Sequence, residues 1–151
     1  MYNKKELDML EPLNLLSTLI VGLYAGSLLT EATILVPYWR RMDPSEFFRL
    51  HGSLGPRLFR YYAPLTASAV ALSLIVAVLN QAQNMAWNVT AGLCLTALGI
   101  FFVYFSKANK SFADHSLKHD ALAGELSRWA NWHWLRTILI IIAFASSIAG
   151  H

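Results

Sequence analysis

Glu31 stands in the apolar run Leu28-Leu-Thr-Glu-Ala-Thr-Ile-Leu-Val36. In a membrane-crossing segment an ionised side chain costs at least ~2.5 kcal/mol, so this carboxyl needs a partner or a proton. At helical spacing Tyr24, Ser27, Glu31 and Tyr38 fall on one face, which is expected to point into a helix bundle. A second set of chemistry-bearing residues emerges when 112–136 is read as one helix. His115, His119, Leu122, Leu126, Trp129, His133 and Arg136 then recur at steps of four and three along a single stripe. That stripe brings three imidazoles, an indole and a guanidinium to the membrane face that Glu31 approaches from the other end of the chain.

An imidazole or carboxylate beside a buried guanidinium suits proton abstraction with stabilisation of the oxyanion that forms. His133 or Glu31 is the expected base, and Arg136, helped by the Asn109 amide, the expected anion holder. Tyr24, Tyr38, Trp129, Trp132 and Arg60 are the expected lining of an apolar substrate pocket. The plainer reading makes Glu31 half of a buried ion pair that joins two helices, and Arg136 a snorkelling cation. His115 and His119, at i and i+4, can instead present two nitrogens to one metal ion. His51 would join them from an amphipathic segment, and Asp114, Asp120 or Glu31 would supply oxygen. Heme, iron or copper would be the cofactor of that alternative. A solvated face with an Asp114–Lys118 pair is the ordinary reading of the same stretch.

Composition decides what kind of scaffold must hold these groups. Of 151 residues, 56% are hydrophobic and only 14% charged, and the mean hydropathy is +0.42; this is a membrane protein's balance. Four stretches approach the roughly 20 residues that cross a bilayer: 13–37, 61–80, 85–105 and 134–150. The expected fold is a single all-α domain, an integral membrane four-helix bundle with amphipathic or helical cytoplasmic connections. The short uncharged link 81–84 implies antiparallel neighbours.

Arg40, Arg41, Arg49, Arg57, Arg60, Lys107, Lys110, Lys118 and Arg128 lie in the two long connections, against Lys4 and Lys5 on the other side. The positive-inside rule therefore puts 38–60 and 106–133 in the cytoplasm and both termini outside. Trp39, Trp129, Trp132 and Trp134 gather at that boundary as an interfacial belt would. The first span is too long for a signal peptide and is expected to be retained. The basic residues flank apolar spans and form no nucleic-acid module, so the lipid bilayer is the expected partner. The lone Cys94 excludes an internal disulfide and a CxxC motif, and reads as a small core residue. No Gly-rich phosphate loop or Ser/His/Asp arrangement is present, which argues against nucleotide-driven transport and common hydrolase schemes.

The segment Trp129-Ala-Asn-Trp-His133-Trp-Leu-Arg136-Thr137 resembles the Trp-x3-His-x2-Arg-Thr element that opens the last span in the anthrone oxygenase-like family. These are small four-helix membrane proteins that include fungal noranthrone monooxygenases. Asn109 resembles the Asn of that family's Pro-Val-Asn element, with Lys107-Ala108 in place of Pro-Val. Val36-Pro-Tyr-Trp39, Phe47, Phe48 and Pro64 match a looser pattern in the first half. The resemblance implies an oxygenase acting on a hydrophobic, enolisable aromatic compound, without flavin or nicotinamide. His115 and His119 are no part of that pattern. A heme- or metal-binding redox protein and a non-enzymatic assembly or scaffold protein remain the alternatives, and a homo-oligomer is the expected state.

Overall fold

The computed structural model describes residues 4–80 and 84–151, and side chains from residue 10 onward within them. Most of the expected 81–84 link therefore lies outside the described residues. Four helices are long and apolar enough to cross a membrane: α1 (Leu10–Trp39), α2 (Pro44–Leu79), α3 (Met85–Ala113) and α4 (His119–Ala149). No strand occurs among the described residues. In the bundle α1 packs on α2 and α4, and α3 on α2 and α4, so helices adjacent in sequence are adjacent in space and the ring closes between first and last.

Large exposed apolar side chains run from Leu15 to Ile34 on α1, Phe59 to Leu79 on α2, Met85 to Val103 on α3 and Trp134 to Ile148 on α4. At about 1.5 Å per residue these belts stand about 20–30 Å tall, the height of a bilayer's hydrocarbon core. Inside the belt small side chains let the helices approach closely: Ala69, Ser73, Ala91, Cys94, Ala97 and Ala143 are all buried. Gly22 belongs to the same close packing, because a Cβ there would stand 2.7 Å from the Phe144 ring.

Beyond the belt, on the side that carries the basic residues, the helices continue into a cap. Here the structure departs from the expected long connections. The first is reduced to a few residues, because Asp43 accepts a hydrogen bond from the Ser45 N–H at 2.9 Å and Pro44 occupies the first helical position; both are strong start signals. From there α2 runs unbroken through Pro56 and Pro64.

The second connection corrects the expectation of one helix over 112–136. α3 ends at Ala113, and His115 takes a left-handed φ of 56°. Asp114 accepts from the Ser116 N–H at 3.1 Å. This local turn competes successfully with the helix, as short acidic side chains often do. A 3-10 turn, His119–Ala121, then leads into the α-helical part of α4, Leu122–Ala149. The expected Asp114–Lys118 helical pair is accordingly not formed, and the stripe begins at Leu122 rather than His115.

The cap has its own core of Val36, Trp39, Phe47, Phe48, Phe105, Ala108, Phe112, Leu122, Leu126 and Trp129. Its rings meet mostly edge to face, Trp39 against Trp129 at 5.9 Å and Phe47 against Phe112 at 5.3 Å between centroids. Trp39 and Trp129 are therefore core residues rather than interfacial anchors. Trp134 is 39% exposed at the end of the apolar belt on α4.

Candidate functional site

Between the membrane core and the cap, Glu31, His133 and Arg136 converge. His133 is fully buried, Glu31 is 4% exposed and Arg136 8%. His133 and Arg136 lie one turn apart on α4, so one helical face delivers both, while Glu31 comes from α1 on the neighbouring seam. The Nε2 of His133 is 3.0 Å from the carbonyl oxygen of Leu28 and 3.9 Å from Oε2 of Glu31. Its Nδ1 is 3.3 Å from a terminal nitrogen of Arg136. A guanidinium has only donors and a carbonyl only acceptors, so Nδ1 accepts and Nε2 carries the ring proton.

The walls are aromatic. Trp129 stacks on the His133 ring at 4.9 Å and 12°, and the Arg136 guanidinium lies 4.4 Å above the Phe105 ring, a cation–π contact. Asn109 acts one step away from the centre, for its Oδ1 accepts from Trp129 Nε1 at 3.0 Å and so orients the indole. Two polar atoms in this buried cluster have no hydrogen-bond partner, Oε2 of Glu31 and Nε of Arg136. Arg136 acts on Glu31 through its charge, but no direct ion pair between them is formed among the described residues.

Both α1 and α3 widen into a π turn at this level, over Glu31–Leu35 and Phe101–Phe105. Glu31 opens the first and Phe105 closes the second. Such single-turn π insertions recur at functional sites. The first explains a misplaced expectation. Tyr38, seven residues after Glu31, should share its face; the extra residue of the π turn carries it outward, where it is 57% exposed, and buries Trp39 instead.

The other expected residues divide. Tyr24 is buried, but in the membrane core among Val21, Leu28 and Ile140. Arg60 is exposed on α2 and does not reach the cluster. Trp132 stacks on Tyr104 at 5.5 Å at the outer edge of the α3–α4 seam, where the Tyr104 hydroxyl donates to Glu125 at 2.7 Å. The three histidines expected as metal ligands do not assemble. His51 stacks on Phe47 at 5.5 Å, while His115 and His119 lie against Phe48 at 5.3 and 5.4 Å. Among the described residues no group of three or more His, Cys, Asp or Glu is placed to hold a metal ion. The break after Ala113 is the reason, since it removes the helical spacing that made His115 and His119 a pair.

Sequence spacing gave no hint of Tyr62 on α2. Its hydroxyl donates to the Ser27 carbonyl at 3.0 Å and lies against the Glu31 carboxyl. Nor did it point to Phe105 or to the Leu28 carbonyl. Two surface hollows, one beside Tyr38 and Arg49 and one beside Arg128 and Trp132, are not lined by the buried cluster. Comparisons with protein-family models, curated proteins and solved structures found no match to the chain.

Proposed function

We propose that this protein is a membrane-embedded oxygenase that converts an activated methylene of a hydrophobic, enolisable aromatic compound into a carbonyl. The observation that carries the reading is the pair of partnerless buried atoms, Glu31 Oε2 and Arg136 Nε, on either side of His133. A buried polar group without a partner costs about 1–3 kcal/mol, a cost that an arriving ligand would relieve. The resemblance of Trp129–Thr137 to the anthrone oxygenase-like element supports the substrate class.

Glu31 is the base in this reading. Both ring nitrogens of His133 are engaged, by Leu28 and Arg136, whereas one Glu31 oxygen is free. Glu31 takes a proton from the methylene, and Arg136 holds the enolate oxygen that results. The electron-rich enolate carbon passes its electrons to dioxygen and forms the C–O bond, and the peroxide oxygen takes up a proton. Loss of the second C–H proton with cleavage of the O–O bond leaves the carbonyl. In sum, one methylene and one dioxygen give one carbonyl and one water, and the substrate supplies all four electrons. The bilayer is the source of so apolar a substrate, and the cationic cap would face the cytoplasm.

The test is anthrone turnover by protein in lipid nanodiscs, followed by anthraquinone formation and oxygen uptake, with one dioxygen consumed per anthrone. Full activity in the Glu31→Gln, His133→Ala double variant would overturn the assignment of the site.

A further inference from the structure

We infer that Tyr62 is a positioning residue for Glu31, an inference that deepens the proposed function and rests on it for the catalytic role of that carboxyl. Glu31 needs an external hold. It begins a π turn, and neither Arg136 nor His133 gives its Oε2 a hydrogen bond. The third helix around the site, α2, supplies the hold from two consecutive residues.

Tyr62 donates its only hydroxyl proton to the carbonyl of Ser27 at 3.0 Å. That carbonyl lies four residues before Glu31, on the turn that carries it, so the bond ties the phenol to the backbone supporting the carboxyl. The Glu31 carboxyl lies against the same hydroxyl, so that one proton serves both acceptors, the backbone carbonyl and the carboxylate. Tyr61 grips the same residue from outside, its hydroxyl 2.7 Å from Ser27 Oγ. Because Ser27 Oγ donates to the Leu23 carbonyl at 2.8 Å, the proton in the Tyr61 bond comes from tyrosine. Tyr61 is 48% exposed at the edge of the apolar belt. Consecutive residues on a helix point about 100° apart, which lets the two tyrosines straddle Ser27. The outer one fastens α2 to α1, and the inner one aims Glu31.

Tyr62→Phe and Tyr61→Phe separate these roles in nanodisc-embedded protein. The first readout is the infrared band, in glutamate-labelled protein, that disappears in Glu31→Gln. The second is kcat and KM for anthrone. Tyr62→Phe is expected to shift the band and to lower kcat about tenfold at unchanged KM, the size of one lost hydrogen bond to a charged or reacting group. Tyr61→Phe is expected to leave the band in place and kcat within about twofold. An unmoved band in folded Tyr62→Phe overturns the inference, as does an equal shift in Tyr61→Phe. Should the wild-type protein not oxidise anthrone, the proposed function falls, and the band alone decides whether Tyr62 holds Glu31.

Discussion

Arg136 donates to Nδ1 of His133 across 3.3 Å, from one turn further along the same helix. This bond sets the imidazole tautomer, because a guanidinium cannot accept, and it sends the remaining ring proton toward the Leu28 carbonyl on α1. His133 is thereby a bolt between α4 and α1 as well as a site residue. Arg136 is left with an unused Nε in the same buried cluster. Structure and proposed chemistry thus divide between neighbours: His133 uses its nitrogens to hold the helices, and the free donor and free acceptor belong to Arg136 and Glu31.

Arg136→Lys should keep the charge and lose the function. Lysine has no planar fork to bond Nδ1 while lying flat on the Phe105 ring. A fall in kcat of about 10²–10³ is expected, typical for removal of an oxyanion donor. Anthrone turnover by variant protein in nanodiscs checks it; activity within a few-fold of wild type would show that a point charge suffices.

His133→Leu fills the same volume with an apolar group and leaves the Leu28 carbonyl without its side-chain partner. A loss of about 1–3 kcal/mol is expected from such an orphaned buried acceptor. Thermal unfolding in detergent, compared with Glu31→Gln under the same conditions, measures it. If Glu31→Gln destabilises the bundle more than His133→Leu, the division of roles between these residues is wrong.

Asp43 gives a pH-dependent contribution at the start of α2. The Ser45 hydroxyl and backbone N–H hold its carboxyl below the usual carboxylate range. Since the folded-state value is the lower one, the stabilisation is present above the unfolded value and is lost as pH falls through the folded one. Asp43→Ala should therefore unfold at a lower temperature than wild type at pH 7. The gap should narrow as the pH drops below about 3.9, the ordinary aspartate value. Asp43→Asn, which keeps a capping oxygen, should lie between the two at pH 7. Thermal scans of the three proteins across this range test the expectation.

The four spans could be read from sequence because hydropathy over about 20 residues is a strong, redundant signal. The meeting of Glu31 with His133 and Arg136 was readable for a related reason: His133 and Arg136 share one helical turn, and a carboxyl inside an apolar run has few places to go. Local competition hid the rest. The Asp114–Ser116 turn displaced the helix that the His115 and His119 spacing suggested, and the metal-ligand grouping dissolved with it. Tyr62 stood on a helix whose sequence relation to Glu31 is fixed by no periodicity, so only packing could bring them together. Trp39 and Trp129 resembled membrane anchors because an interfacial belt and an aromatic cap core use the same residue types.

The two π turns have a consequence for the shape of the whole molecule. Each inserts one residue into an otherwise regular helix, and a helix turns about 100° per residue. α1 and α3, diagonal in the bundle, therefore change angular phase at the level of His133, and cap and membrane half each keep their own inward stripe. The two halves are keyed to each other like offset gears. Straightening Glu31–Leu35 into a regular α turn with every residue kept would turn Tyr38 into the cap and Trp39 out of it, altering which aromatic surface roofs the site without replacing a single residue that lines it.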